Sequence, residues 1–162
     1  MGRTRRGAVV AAALSCALVA CSGLSDLSEE TLAAAESRWR AAGVDSYRMA
    51  LDVQGDRVER ERYVVVVRSG AVDTLLRDRS PVTSGSPEDY SVPGLFEILR
   101  RERELAERPS LLGAPAGYRA YLKARFDPRT GRLVEYDRSV GGASNRIRIV
   151  VREFAPISPR GG

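Results

Sequence analysis

The side chains best equipped for chemistry in this sequence are basic. Arg119, Lys123 and Arg125 alternate with apolar residues on either side of Tyr121, and Arg146, Arg148 and Arg152 alternate with Ile147, Ile149 and Val151. A period of two places each set on one face of a strand. If the two strands lie together, a basic sheet face results, and its chemistry is the binding of anions: lipid headgroups, an anionic polymer or an acidic protein. The competing reading is that arginine is simply the solubilising residue of this chain. Of its 26 Lys+Arg residues only Lys123 is a lysine, and arginine stems cover apolar sheet surface well.

Covalent and metal chemistry find few candidates. The chain has no histidine, which excludes Ser-His-Asp and Cys-His arrangements and the usual zinc sites. Ser84-Gly85-Ser86 is not the strand-to-helix Gly-x-Ser-x-Gly elbow of a serine nucleophile, and neither Ser-x-x-Lys nor a Walker-type phosphate loop occurs. Glu59 and Glu61 share a strand face, but Arg60 and Arg62 interleave with them, the pattern of a solvated, charge-balanced edge. Asp56, Asp127 and Asp137 do not have calcium-loop spacing. The expectation is a protein with no catalytic residues, no metal and no cofactor; an enzyme is the third-ranked reading.

The two cysteines, Cys16 and Cys21, lie at the N-terminus. Arg3, Arg5 and Arg6 precede the apolar run Ala8–Ala20, which reads as a secretory signal. That run is shorter than the ~20 residues a membrane span needs. Leu18-Val19-Ala20-Cys21 resembles the bacterial lipobox. The resemblance implies diacylglyceryl transfer to the Cys21 thiol, cleavage before it and often acylation, such as palmitoylation, of the new N-terminus. Two or three acyl chains make attachment stable where one does not, at ~0.8 kcal/mol per buried methylene. The leader carries three arginines and no acid, so its removal takes the net charge from +5 to about +2. Nucleic acid is therefore not an expected partner. Cys16 leaves with the signal and Cys21 is consumed by lipid, so no thiol remains for a disulfide.

These groups need a scaffold. Ser22–Leu27 reads as a tether. A helix from about Ser28 to Ala42 has Ser28 as its cap, the stripe Leu32, Ala35, Trp39 and Ala42, and Gly43 as its stop. Trp39 reads as a packing anchor, with stacking on a ligand as the alternative. Strands follow from Tyr47, over Val58–Arg68 and over Ala71–Asp78, with Tyr63–Val67 reading as buried on both faces. Arg79–Asp89 is a Ser/Pro/Gly-rich loop, longer than the usual connection, that could shape a binding site or be a tolerated insertion. A second helix starts at Ser91, carries Leu95, Ile98/Leu99, Glu102 and Leu105/Ala106 on its core stripe, and stops at Pro109. Strands from Tyr118 to Phe126, from Leu133 to Asp137 and from Arg146 to Arg152 complete the chain. The predicted class is α+β, in the order α-β-β-β-α-β-β-β, with two helices packed on one face of a mostly antiparallel sheet.

An ordered set of motifs resembles a family of small bacterial lipoproteins classed as a domain of unknown function. The motifs are Trp39 in the first helix, Ser46-Tyr47 opening a strand, Ser69-Gly70 at a turn, Ser91-Val92-Pro93-Gly94-Leu95-Phe96 at a helix start, and Phe126-Asp127-Pro128-Arg129-Thr130-Gly131 at a late turn. The resemblance covers about residues 30 to 154 and implies no activity.

The expected organisation is a signal peptide over 1–20, a lipidated N-terminus and tether over 21–28, one globular domain over 29–156 and a flexible tail over 157–162. The expected protein is lipid-anchored in a bacterial cell or outer membrane, facing the extracytoplasmic side. Its expected work is non-enzymatic binding or scaffolding with an envelope protein. The alternative is binding of an anionic envelope polymer or lipid headgroups through Arg119, Lys123, Arg125, Arg146, Arg148 and Arg152.

Overall fold

A computed structural model describes residues 23–83 and 89–157. The expected signal peptide over 1–20, Cys21, the Ser84-Gly85-Ser86 segment and most of the expected tail lie outside the described residues. The chain forms β1 (Ser25–Asp26), α1 (Glu29–Ala42), β2 (Tyr47–Gly55), β3 (Glu61–Arg68), β4 (Ala71–Arg77), β5 (Ser80–Pro81), α2 (Val92–Ala106), a 3-10 turn (Pro109–Leu112), β6 (Ala120–Phe126), β7 (Leu133–Val140) and β8 (Ile147–Pro156). The fold is α+β, and all strand pairs in its 8-stranded sheet, ordered β1-β6-β7-β8-β2-β3-β4-β5, are antiparallel. Two meanders, β2–β3–β4 and β6–β7–β8, meet where β8 pairs with β2.

Local chemistry sets both helices. Ser28 and Thr31 form a reciprocal capping box at the start of α1, and Gly43 closes it in the left-handed region at φ 61°. Leu32, Ala35 and Trp39 are buried while Ala42 is exposed, so the apolar stripe stops one turn early. In α2 the Ser91 hydroxyl accepts from the Gly94 N–H at 3.0 Å, and the Asp89 carboxylate holds Ser91 at 2.8 Å. Val92, Leu95, Phe96 and Leu99 are the buried face of this helix.

The core lies between the helices and one face of the sheet. Tyr47, Met49, Leu51 and Val53 of β2, Tyr63, Val65 and Val67 of β3, and Leu133, Tyr136 and Ile149 of β7 and β8 all contribute. Within it, Glu102 of α2 accepts from the Tyr136 hydroxyl at 3.0 Å and from Arg138 at 2.6 Å. Arg138 also donates to Asn145, whose side-chain amide donates to the Leu112 carbonyl at 2.8 Å. Burial, and then the neighbouring Glu102 carboxylate, push the Tyr136 phenol far above its ordinary pKa.

Several element boundaries differ from those the periodicity predicts. Ser25–Asp26, read as tether, joins the sheet as an edge strand on β6, and the Leu27 N–H continues that pairing by donating to the Leu122 carbonyl at 2.9 Å. β3 starts at Glu61, so Val58–Arg60 precedes it, and β6 starts at Ala120. β7 reaches Val140 and β8 reaches Pro156, because each has a partner strand to bond. Tyr63, Val65 and Val67 are buried, but Val64 and Val66 are only partly so: no layer covers the second face of the sheet among the described residues.

One end of the sheet collects the entering chain and a terminus of each helix. The registers Tyr47↔Val67, Tyr47↔Pro156 and Phe126↔Leu133 define that end. β1 runs antiparallel to β6 with Ser25 opposite Ala124, so Gly23 enters the fold there. α1 finishes at the same end, and α2 begins at it.

Candidate functional site

The six basic residues singled out by their alternation fall on β6 and β8 or their flanks, but these strands are not neighbours. β7 runs between them and brings Glu135 and Asp137 to the same face: Lys123 lies opposite Asp137 and Arg125 opposite Glu135 on one side, and Asp137 lies opposite Arg148 on the other. Four of the six basic residues are thereby occupied. Arg125 donates to Glu135 at 3.1 Å, and Arg148 donates to the same carboxylate through both Nε and a terminal nitrogen. Arg146 pairs with Asp137 at 2.5 Å, and Arg152 reaches Asp52 at 2.8 Å. Arg119 and Lys123 are exposed and make no ion pair among the described residues. The missed signal was in β7 itself, where Glu135 and Asp137 alternate just as the basic residues do.

Asp52 anchors the middle of this lattice. It is 2% exposed and accepts from Arg60 at 2.6 Å and from Arg152 at 2.8 Å through Oδ2. A β-bulge between Ala50 and Leu51 in the β2–β8 ladder gives β8 one extra residue, so both Arg152 and Glu153 reach acceptors or donors on the open face. Burial alone would raise the Asp52 pKa, but the hydrogen bonds from Arg152 and then Arg60 outweigh it and hold the carboxyl below its ordinary range. Glu135 is shifted the same way for the same reason: burial raises it, and Arg148 and Arg125 more than compensate.

Beyond the lattice, the open face becomes apolar. Val64 and Val66 of β3 with Thr74 and Leu76 of β4 form the floor of a trough of about 710 Å³, and Arg48, Arg62 and Arg79 stand around it. Arg48 and Arg62 both bind Glu153, at 3.0 and 2.9 Å. Arg79, at φ 73°, lies in the tight turn between β4 and β5, because Ser80–Pro81, read as part of a loop, pairs with β4. It makes no ion pair among the described residues. Sequence reasoning missed this trough because it took the valine run as the mark of a strand covered on both faces.

A second concavity, of about 410 Å³, lies on the helix side, at the end of the sheet where α1 finishes. Trp39, Tyr47, Val67 and Phe96 line it, with Glu36, Arg40 and Asp45 among the polar residues around it. Trp39 packs edge-on against Tyr47 at 5.5 Å and against Phe154 at 6.0 Å, so it anchors the core while one side borders open space. Burial pushes the Tyr47 phenol up to about 12, and its oxygen accepts from the Val92 N–H.

Three other acids singled out in the sequence have local duties, while Glu59 is exposed and precedes β3. Glu61 accepts from the Tyr63 hydroxyl at 2.6 Å, Asp56 accepts from the Arg146 N–H at 2.8 Å, and Asp127 accepts from the N–H groups of Arg129 and Thr130 inside its turn. Among the described residues no three His, Cys, Asp or Glu side chains gather as a metal site. No helix among them is long and apolar enough to cross a membrane. Sequence comparison finds no protein-family model and no curated protein that the chain matches.

Proposed function

We propose that this chain is a lipid-anchored protein of the bacterial envelope whose work is non-enzymatic binding at the membrane surface. The single observation that supports the binding role is the uncovered sheet face, with its apolar trough of Val64, Val66, Thr74 and Leu76 rimmed by Arg48, Arg62 and Arg79. An antiparallel sheet commonly leaves one face to water, and that face is then polar throughout. Here aliphatic residues interrupt it, and Arg79, which makes no ion pair among the described residues, suits a partner that brings apolar side chains and a carboxylate. Arg48 and Arg62 are held by Glu153, and Asp78 also lines the trough. The anchoring role rests on the Leu18-Val19-Ala20-Cys21 motif behind a basic, apolar leader.

A second reading, an anionic polymer or lipid headgroup as the partner, draws on Arg119 and Lys123, exposed on the flank and strand of β6 with no ion pair among the described residues. The other four proposed anion contacts would have to leave Glu135, Asp137 and Asp52 to serve it.

Two measurements on the full chain in bacterial membranes test the proposal. Mass spectrometry of the N-terminal peptide should show acyl mass on Cys21, and Cys21→Ser should abolish it and release the protein from vesicles. A photo-crosslinker at Thr74 should trap a protein that one at Glu104, on the helix side, does not. Capture lost on Arg79→Glu, together with wild-type capture that weakens as salt is raised, would favour a charged partner. Equal capture from both positions would sink the trough as the binding surface.

A further inference from the structure

The helix-side cleft and the entry of the chain share one end of the molecule, and that coincidence gives the cleft an occupant. Ser25 pairs with Ala124, so Gly23 sits at the end of the sheet where β6 finishes. Cys21 precedes Gly23 by two residues, and two residues of chain can reach no further than about 7 Å. The cleft floor, Tyr47 and Val67, is on β2 and β3 at this same end. From β1, which Gly23 precedes, to β2 there are four strand spacings, roughly 19 Å. Acyl chains on Cys21 therefore hold a bilayer surface against the end at which the cleft lies.

We infer that this cleft takes one acyl chain of a bilayer lipid, with the headgroup held beside Arg40 and Asp45. The inference rests on the anchoring reading above. Trp39, Tyr47, Val67 and Phe96 lie at the floor of an open surface concavity of about 410 Å³. A concave, mostly apolar space with a few polar groups is the form of a small-ligand site. The polar groups have the right disposition for an amphiphile. Glu36 is engaged by Arg100 at 2.5 Å, whereas Arg40 and Asp45 are exposed and make no ion pair among the described residues. A lipid phosphate would meet Arg40 while its aliphatic chain lies along the indole of Trp39. A bilayer held at this end supplies such chains in large excess over the protein's own, so the bilayer is the source of the bound chain.

Trp39 is the only tryptophan in the chain, which makes it a built-in probe. Full-length acylated protein is bound to phosphatidylglycerol–phosphatidylcholine vesicles whose acyl chains carry bromine, a contact quencher of indole emission. The expected result is loss of most of the Trp39 emission relative to unbrominated vesicles. Val44→Phe, which fills the cleft at its partly exposed margin, should restore most of it, and Arg40→Glu should weaken the quenching on phosphatidylglycerol. Circular dichroism shows whether Val44→Phe folds; if it does not, Arg40→Glu decides. Protein that is acylated and vesicle-bound but unquenched overturns the inference and leaves the anchoring reading intact. Quenching that a folded Val44→Phe does not relieve, or that Arg40→Glu leaves unchanged, overturns it as well. A chain with no acyl mass on Cys21 sinks the anchoring reading and the inference with it.

Discussion

The Val92 backbone N–H donates to the Tyr47 hydroxyl at 2.8 Å. Val92 is the first residue of α2, and Tyr47 the first of β2. One of the donors that every helix start leaves orphaned is thus satisfied by a side chain from the sheet, which ties the helix layer to the strand layer beside the cleft. Tyr47 is 1% exposed, so water cannot take over the role. Tyr47→Phe should keep the ring packing against Trp39 and Phe154 yet cost about 1–3 kcal/mol, the penalty of a buried unpaired donor. Urea denaturation read by far-ultraviolet circular dichroism measures it, and an unchanged midpoint would mean that the hydroxyl contributes nothing.

Asp52 makes stability depend on acid. Its pKa is held below the ordinary 3.8 in the folded protein by Arg152 and Arg60, against the opposing effect of burial. A carboxyl with a depressed folded pKa contributes stability that is complete above its unfolded value and lost as pH falls through its folded value. Glu135 adds to the same trend from an ordinary value of 4.5. The melting temperature should therefore fall as pH drops below about 4.5. In Asp52→Asn it should be lower at neutral pH and respond less to acid. A variant that melts like the wild type at pH 7, with an unaltered acid limb, would contradict the assignment.

Glu102 and Arg138 form an ion pair whose side chains are 13% and 8% exposed, on α2 and β7. Removing one partner strands the other charge out of water, so Arg138→Met should be destabilising by roughly 3–5 kcal/mol. Replacing the whole cluster, with Glu102→Leu and Tyr136→Phe added so that the Tyr136 hydroxyl is not left without its acceptor, should recover much of that loss, since paired buried charges often yield to apolar residues of similar volume at little cost. A double-mutant cycle in urea decides between coupling and simple additivity.

Gly131 closes the turn after β6 at φ 77°, and a Cβ there would meet the Ala35 carbonyl oxygen and the Arg38 side chain of α1. Gly131→Ala should therefore cost more than the roughly 1–2 kcal/mol of left-handed backbone alone, because the turn must also lift off the helix. Calorimetric melting of wild type and variant provides the comparison; a shift no larger than that of Gly70→Ala, which has the same backbone hand and open space around it, would show that the docking is loose.

Much of the architecture was legible along the chain. Ser28 and Gly43 mark the ends of α1, Ser91 and Pro93 mark the start of α2, and the alternation through Tyr47–Val53 and Ala120–Phe126 marks strands, because caps and periodicities act over one or two turns. Less of the candidate site was legible. The six basic residues on β6, β8 and their flanks were visible as a face, but not that β7 would slide Glu135 and Asp137 between them. The Val64 and Val66 positions were visible as apolar, but not that the second face of the sheet would stay uncovered. Glu102 fell on the core stripe of its helix, while its partner Arg138 lay on a strand with nothing nearby in sequence to announce the pairing.

By itself the sequence determined the residue inventory, the basic and apolar leader ahead of Cys21, and the two helices and six longer strands, since these depend on neighbours a few bonds away. The two-residue strands β1 and β5, by contrast, exist only through their partners β6 and β4. The tertiary structure alone decided that β8 joins β2, that Arg152 finds Asp52 across 100 residues, and that the cleft beside Trp39 shares an end with the incoming chain. Such contacts depend on which apolar faces can be buried together once long loops close, and no local pattern encodes that choice.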